Sequence, residues 1–262
     1  MEPEILYEDE SVLVVNKPAG LIVHSDGRTE EPSVAEWVLK HYPQMADVGE
    51  PWTSPPGSAK ASQGTQGEVI LRPGIVHRLD RTTSGVMVLA KTAEAHAFLK
   101  NEFQSRAVQK EYRAYVYGQP KAERGVIEAE IVRIRATPPR WGVARNEGMV
   151  VTKERAGRAA VTEWEVFARG ADDATGEKAS FLAARPKTGR THQIRVHFQS
   201  IHHPVVADHL YAKGRPAILG FARPALHAFQ LSLRLPNGAE KTFEAPLPPD
   251  FLTAAELFRS EA

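Results

Sequence analysis

Short apolar runs separated by turn-forming residues dominate the hydrophobic pattern of the chain. Residues 5–7 and 12–15 flank an acidic turn and predict two adjacent strands, and the run at 86–90 predicts a buried one. The rest of the chain contains some segments with the hydrophobic period of a strand and others with the period of a helix. Further strands are predicted at residues 21–23, 75–76, 112–117, 126–134, 159–168, 179–185, 226–235 and 241–245, and helices at 35–42, 93–106, 191–200 and 254–258.

Many strands and few helices, without βαβ alternation, favour an α+β fold with a mixed, largely antiparallel sheet. Residues 47–68 are rich in Gly, Pro, Ser, Thr and Gln and predict a surface loop. The length of 262 residues suits one large domain or two small ones that share a core.

The amino-acid composition excludes several classes of protein and of catalytic site. The chain has no cysteine, which excludes disulfides, thiolate metal sites and a cysteine nucleophile. No run of about 18 apolar residues occurs, and the acidic start does not resemble a secretory signal. We therefore expect a cytoplasmic protein with no membrane association.

The net charge of +1 hides a strong asymmetry. Residues 1–50 carry a net charge of −8, whereas residues 72–113, 131–158 and 185–223 carry +4, +5 and +6. The basic blocks are compatible with one positive face that binds a polyanion, or with separate solvated faces. Charge alone leaves both interpretations open.

Residues 77–92, HRLDRTTSGVMVLAKT, carry the clearest candidate chemistry. Asp80 lies in a polar turn between Arg78 and Arg81, which should favour an ionised carboxylate usable as a nucleophile or base. Gly85 can adopt the unusual dihedral angles that such a turn requires. The residues alone leave a second interpretation open, in which Asp80 only caps the turn.

Other catalytic patterns are absent from the sequence. Five of the ten histidines lie between residues 192 and 209, but His192 and His197 do not share a helix face, and no HExxH pattern occurs. Ser84 lacks the GxSxG context of a hydrolase nucleophile, and no glycine-rich nucleotide loop is present. The residues therefore give no support for a metal site or a nucleotide cofactor.

Seven segments, in chain order, resemble the motifs of the RluA-type RNA pseudouridine synthases. HRLDRTTSG resembles the catalytic signature of that family, and the likeness runs from about residue 5 to residue 250. One small departure is Ala207, where the family usually has Gly. The other matching segments are NKPAGLIVH (16–24), RPGIVHRLD (72–80), KEYRAYVYG (110–118), TGRTHQIRVH (188–197), HPVVAD (203–208) and LHAFQL (226–231).

The resemblance implies a single catalytic domain over residues 1–262, with a bent, largely antiparallel sheet around a central cleft. Many relatives carry an S4-type RNA-binding domain before the catalytic domain, and we expect none here. The implied reaction detaches a uracil from C1′, rotates it and rejoins it through C5, which requires neither a cofactor nor a metal. The implied partner is structured RNA, from the large ribosomal subunit or transfer RNA, bound by a monomer.

The resemblance also assigns roles to residues. Asp80 would be the catalytic carboxylate, Tyr112 the active-site tyrosine, and Arg195 the basic residue that pairs with Asp80, with Arg190 as the competing candidate. Tyr112 has a second interpretation, as a tyrosine that merely packs the sheet. Expected RNA contacts are Arg78, Lys17, Lys110, Arg190 and His192.

Two alternative functions stay open from the sequence. A catalytically silent RNA-binding or folding factor could use the same fold. An ordinary hydrolase could instead use Asp80, and it would have no affinity for RNA.

Overall fold

The computed structural model describes residues 1–25, 31–53, 69–135, 139–144 and 157–260. The chain divides into two compact units, each discontinuous in sequence. The first comprises Met1–Gln109 and Gln230–Pro246, and the second comprises Lys110–Phe229 and Leu247–Ala262. The expectation that they form one catalytic domain stays a prediction.

The first unit contains three antiparallel strands that pair in order: β1 (Glu4–Glu8), β2 (Val12–Lys17) and β5 (Ser84–Ala90). Every residue of β5 is buried, as its continuous apolar run predicts. The register of β2 and β5 places Lys17 opposite Gly85. Two of the segments that resemble family motifs, NKPAG and TTSG, therefore meet at one end of this strand pair.

Capped helices and two hairpins complete the first unit. Helix α1 (Val34–His41) begins after Ser33, whose hydroxyl accepts from the Glu36 amide in a capping box. Helix α2 (Ala93–Gln104) begins after Thr92. The hairpins are β3 (Trp52–Thr53) with β4 (Val69–Ile70), and the end of β11 (Leu226–Arg234) with β12 (Glu240–Glu244). Of the predicted loop at 47–68, residues 54–68 lie outside the described residues.

The second unit contains a larger antiparallel sheet. Its strand order is β6 (Gln109–Tyr117), β10 (Lys178–Pro186), β9 (Arg158–Asp172), β7 (Arg124–Arg135) and β8 (Arg140–Val143). The C-terminal β13 (Phe258–Ser260) also pairs with β9. Helices α3 (Gln193–Ser200) and α4 (Pro249–Leu257) belong to this unit. Its core includes an aromatic group around Tyr115, formed with Phe181, Phe221, Phe251 and Phe258.

The structure confirms the predicted α+β class with a largely antiparallel sheet. Two predicted strands are wrong, because Ile22 and Ile75 each form only an isolated bridge, with Ser33 and Leu89. Near Ile75 the chain turns at Gly74, which has a φ of 67° and whose amide donates to Val48, so no ladder can extend there. In the part of the chain described here, no helix has the length and apolarity that crossing a membrane requires.

Candidate active site

Asp80 lies in a tight turn of the first unit, just before β5. The Thr83 amide donates to the Asp80 carbonyl at 3.1 Å, which closes the turn. Solvent exposure changes from residue to residue in the segment that leads to Asp80: Arg78 is exposed, Leu79 is buried and Asp80 is half-buried. Gly85 follows with a φ of 120°, which confirms the dihedral freedom expected of it. The turn therefore holds Asp80 in a partly exposed position.

Backbone hydrogen bonds hold this turn against the NKPAG segment. The Gly20 amide and the Lys17 ammonium donate to the Arg81 carbonyl, at 2.8 and 3.2 Å. Lys17 also donates to the carbonyls of Pro18 and Leu21, at 2.9 and 2.8 Å, and is 0% exposed. The expectation that Lys17 contacts RNA is wrong, because its ammonium is buried against backbone carbonyls. Lys17 instead anchors the residue that follows Asp80.

Three further contacts position the segment that leads to Asp80. The His77 ring stacks on Phe103 with a centroid distance of 4.5 Å, and its Nε2 accepts from the Val88 amide at 3.1 Å. The Arg72 guanidinium lies 5.0 Å from the centroid of Trp52. Burial, and then the charge of Arg78, lower the pKa of Arg72. Arg72 and Arg78 thus form a cationic pair in the same unit as Asp80.

Tyr112 and Lys110 share one face of β6 in the second unit, because alternate residues of a strand point the same way. Tyr115 and Tyr117 point the other way and are core residues, only 3% and 1% exposed. Burial raises the pKa of Tyr115 to about 12. Tyr112 is half-buried, which distinguishes it from these two tyrosines. Lys110 is also half-buried, and its burial lowers the pKa of the ammonium.

The TGRTHQIR segment forms the start of α3. His192 precedes the helix in a left-handed conformation, with a φ of 56°. The Gln193 side chain accepts from Thr188 at 2.7 Å and from the Arg190 amide at 3.0 Å, and it donates to Thr162 at 3.0 Å. One buried glutamine therefore fixes the entry to the helix. The Arg190 guanidinium donates to a β9 carbonyl, that of Ala159, at 3.2 Å.

Arg195 forms a buried ion pair with Asp208. Its Nε donates to Oδ2 at 2.6 Å and its Nη2 to Oδ1 at 2.9 Å, and both side chains are almost fully buried. This two-point geometry fixes the plane of the guanidinium. The predicted pairing of Arg195 with Asp80 stays a prediction.

Tyr211 links Arg195, His192 and β8. Its ring lies 5.2 Å from the Arg195 guanidinium, and its hydroxyl lies 2.9 Å from His192 Nδ1. The same hydroxyl accepts from the Trp141 amide at 3.3 Å. The structure therefore brings two predicted residues, Arg195 and His192, together around a tyrosine that the motifs did not single out.

Several residues of this arrangement escaped the sequence interpretation. Asp208 is the last residue of the matched segment HPVVAD, so an acid within a family motif was the available signal. Trp141 and Tyr211 gave no signal, because neither belongs to a recognised motif. Among the residues that the structure describes, no three His, Cys, Asp or Glu side chains are grouped as metal ligands would be.

The chain is similar to one known sequence family and to several known proteins. A sequence model described as RNA pseudouridylate synthase matches residues 11–200. The chain is 36% identical over its whole length to ribosomal large subunit pseudouridine synthase D of Pseudomonas aeruginosa, and covers 73% of that protein. It is also 36% identical, over 95% of its length, to an uncharacterised RNA pseudouridine synthase of Synechocystis, of which it covers 66%. The chain thus spans about two thirds of the length of these relatives.

Solved structures give the same fold. The human protein named RNA pseudouridylate synthase domain containing 1 superposes with a TM-score of 0.69 and 23% identity. The match covers 99% of this chain and 89% of the human one. The human protein of the same series numbered 4 gives a TM-score of 0.67 at 24% identity, with 99% and 94% coverage.

Proposed function

Since this chain belongs to the RluA-type family of RNA pseudouridine synthases, we propose that it isomerises uridine to pseudouridine in structured RNA, with Asp80 as the catalytic carboxylate. The observation that carries the proposal is the anchored turn in the first unit. Gly20 and Lys17 fix the carbonyl of Arg81, so the preceding Asp80 carboxylate is held without being fully buried. A carboxylate held in this way can be aimed at a flipped nucleotide.

Asp80 either attacks C1′ of the ribose, or removes a sugar proton to give a glycal intermediate. In both routes the C1′–N1 bond breaks, the uracil rotates, and C5 bonds to C1′ as the Asp80 ester is displaced or the sugar proton is returned. The C5 proton then leaves and N1 ends protonated. Atoms and electrons balance within the RNA itself, so the reaction needs no cofactor and no metal. We predict that Arg195 pairs with the carboxylate of Asp80, as the resemblance to the family implies.

Tyr112 is proposed to stack on the flipped uracil and to assist removal of the C5 proton. Tyr112 packs at the margin of the core cluster that contains Tyr115 and Tyr117, but unlike these two it is only half-buried, which is compatible with this role. Arg78 is exposed on the same turn as Asp80 and suits a phosphate contact. Lys110, Arg190 and His192 stay proposed RNA contacts.

For the substrate we propose large-subunit ribosomal RNA, with transfer RNA as the competing target, modified in the cytoplasm by a monomer. The Pseudomonas relative is named a ribosomal large subunit pseudouridine synthase, and the match covers all of this chain. The approach RPGIVHRLD (72–80) also favours the ribosomal target.

Tritium release from RNA labelled at uridine C5 tests the proposal directly. Transcripts of large-subunit ribosomal RNA and of transfer RNAs would be compared, with wild-type protein, Asp80→Asn and the exposed control Asp47→Asn. We expect release from the ribosomal transcript to fall more than a thousandfold in Asp80→Asn, and to stay unchanged in Asp47→Asn. Asp80→Asn activity within tenfold of the wild type would refute the role of Asp80. Wild-type binding without release would indicate a silent RNA-binding factor.

A further inference from the structure

The β7–β8 hairpin of the second unit places a tryptophan and an arginine side by side. Trp141 and Arg133 are direct partners in the register of the two strands, so both side chains point to the same face. The Arg133 guanidinium lies 5.9 Å from the centroid of the indole. Arg133 is exposed and Trp141 is half-buried. Part of an aromatic ring is therefore accessible beside a cation.

Several contacts within the second unit also hold Trp141 in place. Trp141 packs against a small core cluster formed by Ile131, Ala160, Val196 and Tyr211. The edge of the His192 ring meets it at a centroid distance of 5.0 Å. Its backbone amide donates to the Tyr211 hydroxyl. The indole is thus held in one orientation before any ligand arrives, which lowers the entropic cost of stacking on it.

The charge around the indole is positive. Arg140, which precedes Trp141, has its guanidinium 5.7 Å from the Tyr211 ring. Its Nε is buried and has no hydrogen-bond acceptor among the residues that the structure describes. Strand alternation turns Glu128 and Glu130 to the opposite face from Arg133. An anion beside Trp141 therefore meets the Arg133 guanidinium on this face, while the Arg140 guanidinium lies nearby at the Tyr211 ring.

We propose that Trp141, Arg133 and Arg140 form a binding site for a nucleotide of the RNA other than the reacting uridine. This inference rests on the proposed function, because it takes RNA as the ligand. The base stacks on the indole and displaces the Arg133 guanidinium from the ring. Arg133 and Arg140 then pair with the adjoining phosphates. Stacking on aromatic rings beside arginines is how proteins hold unpaired bases without reading their sequence.

Fluorescence anisotropy of a labelled stem-loop RNA with a uridine-only loop measures this site without requiring turnover. We expect Trp141→Ala to weaken binding by about tenfold, the usual scale for one lost stacking contact. Trp141→Phe keeps an aromatic face and should stay within about threefold of the wild type. Arg133→Gln should reduce the salt slope of binding by about one. Arg124→Gln, which removes an exposed charge from the start of the same strand, should leave affinity unchanged.

Two readouts separate this site from a fold defect and from the proposed catalysis. Thermal unfolding of Trp141→Ala reports damage to the fold, and 4-thiouridine in the loop should cross-link to the peptide that contains Trp141. Wild-type affinity in Trp141→Ala, or cross-links that avoid this peptide, would overturn the proposal. Asp80→Asn should retain the stacking contact, so a failure of Asp80 as catalyst leaves this result intact.

Discussion

The turn that carries Asp80 and the segment that begins α3 are both polar, but they are stabilised in different ways. The Asp80 turn is held at its own backbone, chiefly at the Arg81 carbonyl, which accepts from the Lys17 ammonium and from the Gly20 amide. The α3 segment is held by side chains, namely Gln193 and the ion pair of Arg195 with Asp208. Substituting Asp80 should therefore lower turnover without lowering stability, whereas substituting Arg195 should lower both.

This difference follows from what each region does in the fold. A catalytic side chain can be exchanged without cost to the fold only if other atoms hold its backbone. At Asp80 that condition is met by a neighbouring segment of the same unit. In α3, the guanidinium of the proposed catalytic residue is itself part of a buried network, so removing any member leaves a buried polar group unsatisfied.

Asp208→Asn tests the side-chain half of this comparison and should have the largest effect on stability. The substitution leaves the buried Arg195 guanidinium without its anionic partner, which typically costs about 3–5 kcal/mol. Urea unfolding measures the loss, and the exposed Asp47→Asn serves as the control. A loss below about 1 kcal/mol would show that the pair contributes little, and that α3 resembles the Asp80 turn after all.

Lys17→Met tests the other region of the comparison, the turn that carries Asp80. Methionine has a similar volume but cannot donate, so the carbonyls of Pro18, Leu21 and Arg81 each lose a buried donor. We expect unfolding to become easier by about 2–3 kcal/mol and turnover to fall, because the Asp80 turn loses an anchor. The matched control is Lys40→Met, since Lys40 is exposed and pairs only with Glu2 among the described residues. If Lys17→Met kept full turnover, Lys17 would not position Asp80.

The contrast also explains what the sequence could predict. Strands such as β5 and helices such as α1 were predictable, because a continuous apolar run and a capping box are local signals. Strand β8 was missed, since its four residues, RWGV, are too few for a visible alternation. The C-terminal segment was predicted as a helix at 254–258, whereas α4 begins earlier, at Pro249, and Phe258 starts β13.

The residues of the candidate site also fall into those that local sequence signals predict and those that depend on tertiary folding. Asp80 was identifiable because its motif is contiguous and its turn is local. The partnership of Arg195 with Asp208, 13 residues apart, depends on tertiary folding, and so does the burial of Lys17. Because lysine is almost always exposed in folded proteins, the sequence alone does not predict a lysine that is fully buried against backbone carbonyls.

The α3 network should also respond to pH, to a smaller extent. His197 is buried and its Nδ1 lies 2.9 Å from the Thr162 hydroxyl; burial lowers its pKa from 6.5 to about 4. The unfolded chain therefore binds a proton between these values that the folded protein excludes. Stability is fully present above pH 6.5 and falls as the pH drops toward 4, by at most about 1.4 kcal/mol per pH unit. Unfolding at pH 6.5 and 5.5 should show this slope in the wild type and a shallower one in His197→Gln. Equal slopes would mean that His197 does not titrate in this range.

Ala207→Gly should have the smallest effect, and it should stabilise the protein. Ala207 adopts a φ of 56°, a left-handed conformation that favours glycine, and it directly precedes Asp208. The usual Gly of the family at this position is thus explained by backbone geometry. Relief of the strain outweighs the extra entropy of glycine in the unfolded chain, for a net gain of about 0.5–1 kcal/mol. Ala159→Gly in β9 is the control, and it should instead destabilise by about 0.5–1 kcal/mol, because a strand gains nothing from glycine. If both substitutions destabilised the protein equally, the turn at Ala207 would carry no strain, and the Asp208 side of the network would be more relaxed than its backbone suggests.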